Sequence, residues 1–295
     1  MNTQQIEGSI YGLLCGNALG FACLDKKSTY SIISQQLVRK YTDIGAMNLA
    51  TMTAFNEAEK LDSEEISHNL LEWYLGAHAH LGSTEPQNSR ITISESLRNY
   101  SLGMPSDRGG SKSTNDNSAL IRMLPVAIWN INSTIDQTVL DAHEVTKITN
   151  QSILTQVCSA LYCLVIQNFL LNKTSKASLQ LEQYYNGKSM QQYLIALKQL
   201  RETQSEESNG TNSVTDSFWT AMKLYAQYNK NFEEGATQAI LLENDIEATA
   251  SLTGSLIGAT LGIKGIPTRW MQQLDCPEAA KEVIKTFCRK ISERV

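Results

Sequence analysis

Residues 243 to 270 read ENDIEATASLTGSLIGATLGIKGIPTRW, and the helical spacing of their apolar residues decides the fold class. Gly254, Gly258 and Gly262 recur every four residues, so they lie on one face of the predicted helix, where another helix backbone could approach closely. Each glycine inside a helix costs about 1 kcal/mol, so tight packing within the protein must offset that loss. The segment is too short, and too flanked by charge, for a membrane helix that dimerises through its glycines.

The rest of the chain repeats this helical spacing. Predicted helices include GSIYGLLCGNALG, AMNLATMTAFNEAEKL, ISHNLLEWYLGAHAH and SFWTAMKLYAQY. Asp62, three residues before Glu65, indicates a helix start, and Pro125 indicates a kink or a new start. No run alternates apolar and polar residues with a period of two, so no sheet is predicted. We predict an all-α protein in which residues 1–295 form a single domain.

Two polar segments interrupt the helical pattern. Residues 82 to about 118 are rich in Gly, Ser, Asn and Asp, and residues 201 to 213 read RETQSEESNGTNS. Loops longer than about 12 residues inside a compact domain are often functional or disordered. We predict a functional role for the first segment and a solvated, disordered loop for the second.

Composition narrows the classes of partner. The net charge is -5, and no basic stripe stands out, which argues against nucleic acid as a partner. Six cysteines without CxxC spacing indicate small buried side chains in a reducing compartment. No secretory signal and no apolar run of about 18 residues is evident, so we expect no membrane span and a cytoplasmic location. Export by a route without a cleavable signal stays open.

Two places put oxygen-bearing side chains at the start of a predicted helix. Thr42 and Asp43 precede one helix, and Asp245 and Glu247 precede the glycine-grooved one. Mg²⁺ prefers oxygen from carboxylates, hydroxyls and water, and two converging pairs could hold such an ion. Asp and Thr are also favoured at helix N-termini because they cap free N–H groups and suit the helix dipole. Spacing alone leaves both interpretations open.

Several stretches in order resemble the ADP-ribosylglycohydrolase family, which includes the dinitrogenase reductase-activating glycohydrolase. The family pattern runs G-D-A-L-G, T-D-D-T, N-G-x-x-M-R-x-x-P and G-G-D-T-D-T, with a small-residue helix ending in I-P-x-R-W. The matching stretches are GLLCGNALG, YTDIGAMNLA, NSALIRMLP and NDIEATASLTGSLIGATLGIKGIPTRW, and VTDSFWTAMKLYAQYNKNFEEGATQAI fits the stretch before the last motif. The resemblance covers roughly residues 8–273. It implies an orthogonal bundle of helices around a cleft that holds two Mg²⁺ ions. It also implies an enzyme that removes ADP-ribose from a modified side chain, most often arginine.

The resemblance also implies roles for individual residues. The positions that match metal ligands of the family are Thr42, Asp43, Asp245 and Glu247. Of these, Asp43 and Glu247 are the expected catalytic carboxylates. The residues that match substrate-binding positions are Asn17, Asn117, Ser118 and Asn150.

The chain departs from the family pattern at the metal positions. Ile44 replaces an acidic ligand and Ala248 replaces a hydroxyl ligand, so each half of the dinuclear site loses one oxygen. Gly45 replaces another threonine, and Asn17 and Asn150 replace an Asp and a His. The remaining oxygens favour one Mg²⁺, with waters completing its octahedron, over two ions.

Three functions follow as alternatives. The first is an atypical, Mg²⁺-dependent ADP-ribosylglycohydrolase acting on an ADP-ribosylated protein, with arginine as the modified residue. The second is a catalytically impaired relative that binds ADP-ribose, a nucleotide or a modified protein without hydrolysis. The third is a helical scaffold that contacts other proteins through its polar loops.

Overall fold

The computed structural model describes residues 3–24, 33, 39–78, 81–82, 90–174, 176–204 and 207–294. Over these residues the backbone is helical, and its only β contacts are two isolated bridges. The α-helices are α1 Thr3–Cys23, α2 Asp43–Glu57, α3 Ser63–Tyr74, α4 Ile91–Ser101, α5 Leu124–Trp129, α6 Ile135–Lys147, α7 Ile153–Leu170, α8 Ala177–Gly187, α9 Gln191–Glu202, α10 Val214–Tyr228, α11 Phe232–Leu241, α12 Ile246–Leu261, α13 Thr268–Gln273 and α14 Glu278–Glu293. The all-α prediction is confirmed.

Helices α1 and α12 pack with their backbones in contact. A Cβ on Gly12 would lie 2.3 Å from the carbonyl oxygen of Gly254, and a Cβ on Gly254 would lie 2.2 Å from that of Gly12. Gly8 faces Gly258 in the same way, since a Cβ on Gly8 would lie 2.6 Å from the carbonyl oxygen of Gly258. The glycine face predicted on α12 therefore packs within the protein, against a second glycine face on α1. This close approach carries the N-terminal end of α12 to the C-terminal half of α1.

The buried apolar side chains form one continuous cluster that draws on helices from α1 to α14. Among the described residues, α7 is the one helix long and apolar enough to cross a membrane, and 83% of its 18 residues are buried inside the protein. Burial of that extent is what the central helix of a helical core also shows. All six cysteines are buried and free, as predicted.

Local start signals behave as the sequence predicts. Asp62 caps α3, accepting a hydrogen bond from the backbone N–H of Glu64 at 2.9 Å. Pro125 lies in the first turn of α5, where its missing N–H has no helical partner to lose.

Helices occupy parts of the two polar segments that were predicted to be loops, and the functional role predicted for the first segment stays a prediction. Residues 91–101 form α4, which buries only a narrow face that includes Ile93 and Leu97, so the polar composition hid the helix. In the second segment α9 continues to Glu202, Ser208 is buried, and Gly210 is buried against Thr249 of α12. Residues 205 and 206 lie outside the described part of the chain, so the disorder predicted there stays a prediction.

Candidate functional site

The two acidic helix entrances meet at one partly exposed site, which is called the cleft hereafter. Thr42 precedes α2, and its hydroxyl donates a 2.6 Å hydrogen bond to Oε1 of Glu247 in the first turn of α12. Gly20 of α1 allows this approach, since a Cβ there would lie 2.7 Å from the Glu247 Cα. Asp43 and Asp245 begin the same two helices, so the four residues predicted as metal ligands lie together.

Asn17 of α1 connects α1 with α2 and α12 through hydrogen bonds. Its Oδ1 accepts hydrogen bonds from the backbone N–H groups of Thr42 at 2.8 Å and Gly45 at 3.2 Å. Its Nδ2 donates to Thr42 Oγ1 at 2.9 Å and to Glu247 Oε1 at 3.3 Å. Asn17 is fully buried and caps α2 from outside that helix, which fixes α2 relative to α1 and α12.

Asn117 holds the other side of the cleft. Its Nδ2 donates to Asp245 Oδ2 at 2.9 Å and to Ser217 Oγ at 2.8 Å. Its backbone N–H donates to the carbonyl of Asn212 at 2.9 Å, which anchors the segment before α10 beside the site. Asp245 in turn caps α12 by accepting from the N–H of Ala248.

Arg90 fills the space between the two aspartates. Its Nη2 donates to Asp245 Oδ2 at 2.7 Å and Oδ1 at 2.9 Å, and its Nε donates to Asn117 Oδ1 at 3.1 Å. Its Nη1 lies 3.7 Å from Asp43 Oδ2. Burial alone would lower the pKa of Arg90, but the charges of Asp245 and Asp43 outweigh it and raise the pKa above its ordinary value. The guanidinium is therefore a fixed positive charge in the cleft.

Glu247 is the carboxylate with the most perturbed acidity at the site. Its pKa is raised to about 7, chiefly by burial and further by the charges of Asp43 and Asp245. The hydrogen bond from Thr42 and the charge of Arg90 act in the opposite direction. A carboxyl that titrates near neutral pH can both accept and release a proton, which suits proton transfer.

Ser118 and Asn150 form hydrogen bonds to Asp116 rather than to the predicted metal ligands. Both side chains are fully buried, and Asn150 Nδ2 donates to Asp116 Oδ1 at 3.0 Å. The N–H of Ser118 donates to the same oxygen at 3.1 Å, and Asp116 Oδ2 accepts from the hydroxyl of Thr92. In this arrangement the two predicted substrate-binding residues support the segment that carries Asn117. Direct substrate contact stays a prediction for both.

The residues present do not fit a Mg²⁺ ion in this arrangement. Ile44 and Ala248 are fully buried and offer no side-chain oxygen, and both oxygens of Asp245 already accept hydrogen bonds from Arg90. In the part of the chain that the structure describes, no three carboxylate, imidazole or thiolate groups are arranged to hold a metal ion. The predicted Mg²⁺ stays a prediction of the resemblance.

A family model for ADP-ribosylglycohydrolases matches residues 2–295 of this sequence. The chain belongs to the ADP-ribosylglycohydrolase family. This membership confirms the resemblance drawn from the motifs.

Relatives and a solved structure agree with the family. Two similar proteins carry the name ADP-ribosylarginine hydrolase Tri1. The one from Serratia proteamaculans (strain 568) is 25% identical over 283 residues, which cover 91% of this chain and 74% of the relative. The one from Pseudomonas putida (strain GB-1) is 23% identical over 285 residues, covering 91% and 73%. A solved structure described as an ADP-ribosylglycohydrolase-related protein complex superposes with a TM-score of 0.72 at 17% identity, covering 98% of each chain, and shows the fold.

Sequence reasoning missed Arg90 altogether. It lies in the segment predicted to be functional, directly before α4, but neither helical periodicity nor a family motif marks it. The available signal was electrostatic, because three converging carboxylates that have lost metal ligands require a positive charge from elsewhere.

Proposed function

We propose that this ADP-ribosylglycohydrolase removes ADP-ribose from a modified arginine side chain of a protein. The observation that carries the proposal is the convergence of Asp43, Asp245 and Glu247 on one cleft of the family fold. Two relatives named as ADP-ribosylarginine hydrolases support arginine as the modified residue. The substrate is then an ADP-ribosylated protein, and free ADP-ribose is the product.

Hydrolysis of the linkage requires one water. The water oxygen bonds to the anomeric carbon of the ribose, the bond from that carbon to the guanidine nitrogen breaks, and one water proton must leave. In this proposal Glu247 accepts that proton, and hydrogen bonds from Thr42 and Asn17 hold its carboxylate in position. Asp43 is the second carboxylate, whose charge stabilises the positive charge that develops on the ribose. The proton then passes to the departing guanidine.

A second candidate is binding of ADP-ribose or an ADP-ribosylated protein without hydrolysis. The observation that favours it is the loss of oxygen at Ile44 and Ala248, together with the engagement of Asp245 by Arg90. Such a protein would keep the shape of the cleft and lack the full catalytic set.

Release of ADP-ribose from an arginine-ADP-ribosylated protein tests the first candidate, run in parallel with Mg²⁺ and with a chelator. We expect release by the wild-type chain and a loss of about 10²-fold or more in Glu247→Gln, which keeps the shape of the side chain and removes its basicity. Arg98→Gln, an exposed change on α4, is the control. No release at high enzyme concentration, from arginine-linked and serine-linked substrates alike, would contradict hydrolysis. Binding of ADP-ribose in that case would favour the second candidate.

A further inference from the structure

The cleft brings several negative charges close together. Asp43, Asp245 and Glu247 bring three carboxylates together, and such a group is stable only with a nearby cation. Within the described residues, Arg90 is the basic side chain in ion-pair contact with two of the three. We propose that the guanidinium of Arg90 is the resident cation of this cleft and takes the place of a divalent metal ion.

The hydrogen-bond geometry supports this assignment. Arg90 reaches Asp245 with two contacts of 2.7 and 2.9 Å, and Asn117 closes the set by accepting from its Nε at 3.1 Å. A Mg²⁺ ion needs oxygen ligands at about 2.0–2.1 Å in octahedral array, with lone pairs pointing at the ion. The carboxylate of Asp245 accepts hydrogen bonds from Arg90, Asn117 and the N–H of Ala248. The carboxylate that the resemblance matches to a metal ligand is thus already occupied by hydrogen-bond donors.

The backbone holds Arg90 in this position. Its carbonyl accepts from the N–H groups of Ile93 at 2.9 Å and Ser94 at 3.1 Å, so Arg90 caps the start of α4. The side chain is only 20% exposed. A guanidinium anchored at a helix start can leave its carboxylate partners only at the expense of an unpaired charge in a mostly buried place.

The substitutions at the metal positions agree with such a replacement. Ile44 and Ala248 stand where the family pattern has oxygen ligands. Both side chains are apolar and fully buried. Asn17 replaces an acidic residue and donates to Glu247 rather than repelling it. Each change lowers the negative charge of the site or removes an oxygen from it. A guanidinium with one positive charge needs fewer carboxylates and fewer ligand oxygens around it than two divalent ions do. These substitutions are therefore consistent with a cleft that Arg90, rather than a metal ion, neutralises.

Binding of Mn²⁺, a spectroscopically visible substitute for Mg²⁺, tests the proposal without reference to hydrolysis. Calorimetry and electron paramagnetic resonance would compare wild-type protein with Arg90→Gln and Arg90→Lys, each shown to be folded by circular dichroism. We expect no saturable binding to the wild-type chain or to R90K, which keeps the charge. We expect R90Q to bind Mn²⁺ saturably, at concentrations about tenfold or more below those at which R90K shows any binding, because it frees Asp43 and Asp245 from their cation.

Two results would overturn the proposal. One is saturable Mn²⁺ binding by the wild-type chain. The other is a folded R90Q that binds no more Mn²⁺ than R90K does. If R90Q does not fold, the wild-type isotherm decides the matter, because saturable binding would show that Arg90 does not exclude the ion. Failure of hydrolysis in the separate release assay would leave this result unchanged.

Discussion

At the scale of single residues, Asn17 shows why the site is built with an amide. Its oxygen accepts from two backbone N–H groups at the start of α2, and its nitrogen donates to Thr42 and Glu247. A carboxylate could accept the first pair of bonds but could not donate the second. The amide therefore connects a helix N-terminus with a carboxylate, which no charged side chain of the same size can do.

The variant Asn17→Asp tests this role, because it conserves shape and restores the residue of the family motif. It removes two donated hydrogen bonds and sets a carboxylate 3.3 Å from Glu247 Oε1. In metal-free buffer we expect the free energy of unfolding to fall by about 1–3 kcal/mol, measured by urea denaturation. Asn186→Asp, an exposed change on α8, should stay within about 0.5 kcal/mol of wild type. Equal stability of N17D and wild type would show that the Nδ2 contacts contribute nothing.

Arg90 also marks the limit of prediction from sequence at this scale. Thr42, Asp43, Asp245 and Glu247 were predictable because each stands in an ordered motif at a helix start. Arg90 was not, because its role depends on where α4 lies in the fold, and the spacing of neighbouring residues carries no trace of that position.

At the scale of helices, the pairing of α1 and α12 sets the geometry of the cleft. Glycines on both helices let the backbones touch, and the same approach brings Gly20 against Glu247. The sequence predicted the groove on α12 but not its partner, although Gly8, Gly12, Gly16 and Gly20 repeat every four residues in α1. Two glycine faces with the same spacing in one chain indicate that the two helices pack against each other. The face on α12 alone does not identify α1 as its partner.

The variant Gly12→Ala tests the close approach directly. Its Cβ would lie 2.3 Å from a backbone oxygen of α12, which cannot rotate away, so the two helices must separate. We expect a loss of about 1–3 kcal/mol or more in unfolding free energy, measured by urea denaturation. Gly187→Ala on α8 is the matched control, since nothing lies within 4 Å of its added Cβ. That change should be neutral or stabilising by about 0.4–1 kcal/mol. Similar effects of the two substitutions would contradict the packing account.

At the scale of the whole molecule, helices far apart in sequence contribute to one cleft. Asn17 comes from α1, Thr42 and Asp43 from the start of α2, Arg90 from the start of α4, and Glu247 from α12. Periodicity alone predicted that the chain is helical, and the order of the motifs predicted the family. Neither could show that the charge of Arg90 would lie between Asp43 and Asp245, because that depends on long-range packing.

Calorimetric titration of ADP-ribose into the wild-type chain in metal-free buffer would show whether the cleft binds this product without a metal ion. The account predicts saturable binding at one site per chain. It also predicts that Asp43→Arg, which sets a long second cation beside Arg90 in the cleft, abolishes binding, whereas Arg98→Gln leaves it unchanged. Absence of binding by the wild-type chain, or binding that Asp43→Arg does not weaken, would contradict the account.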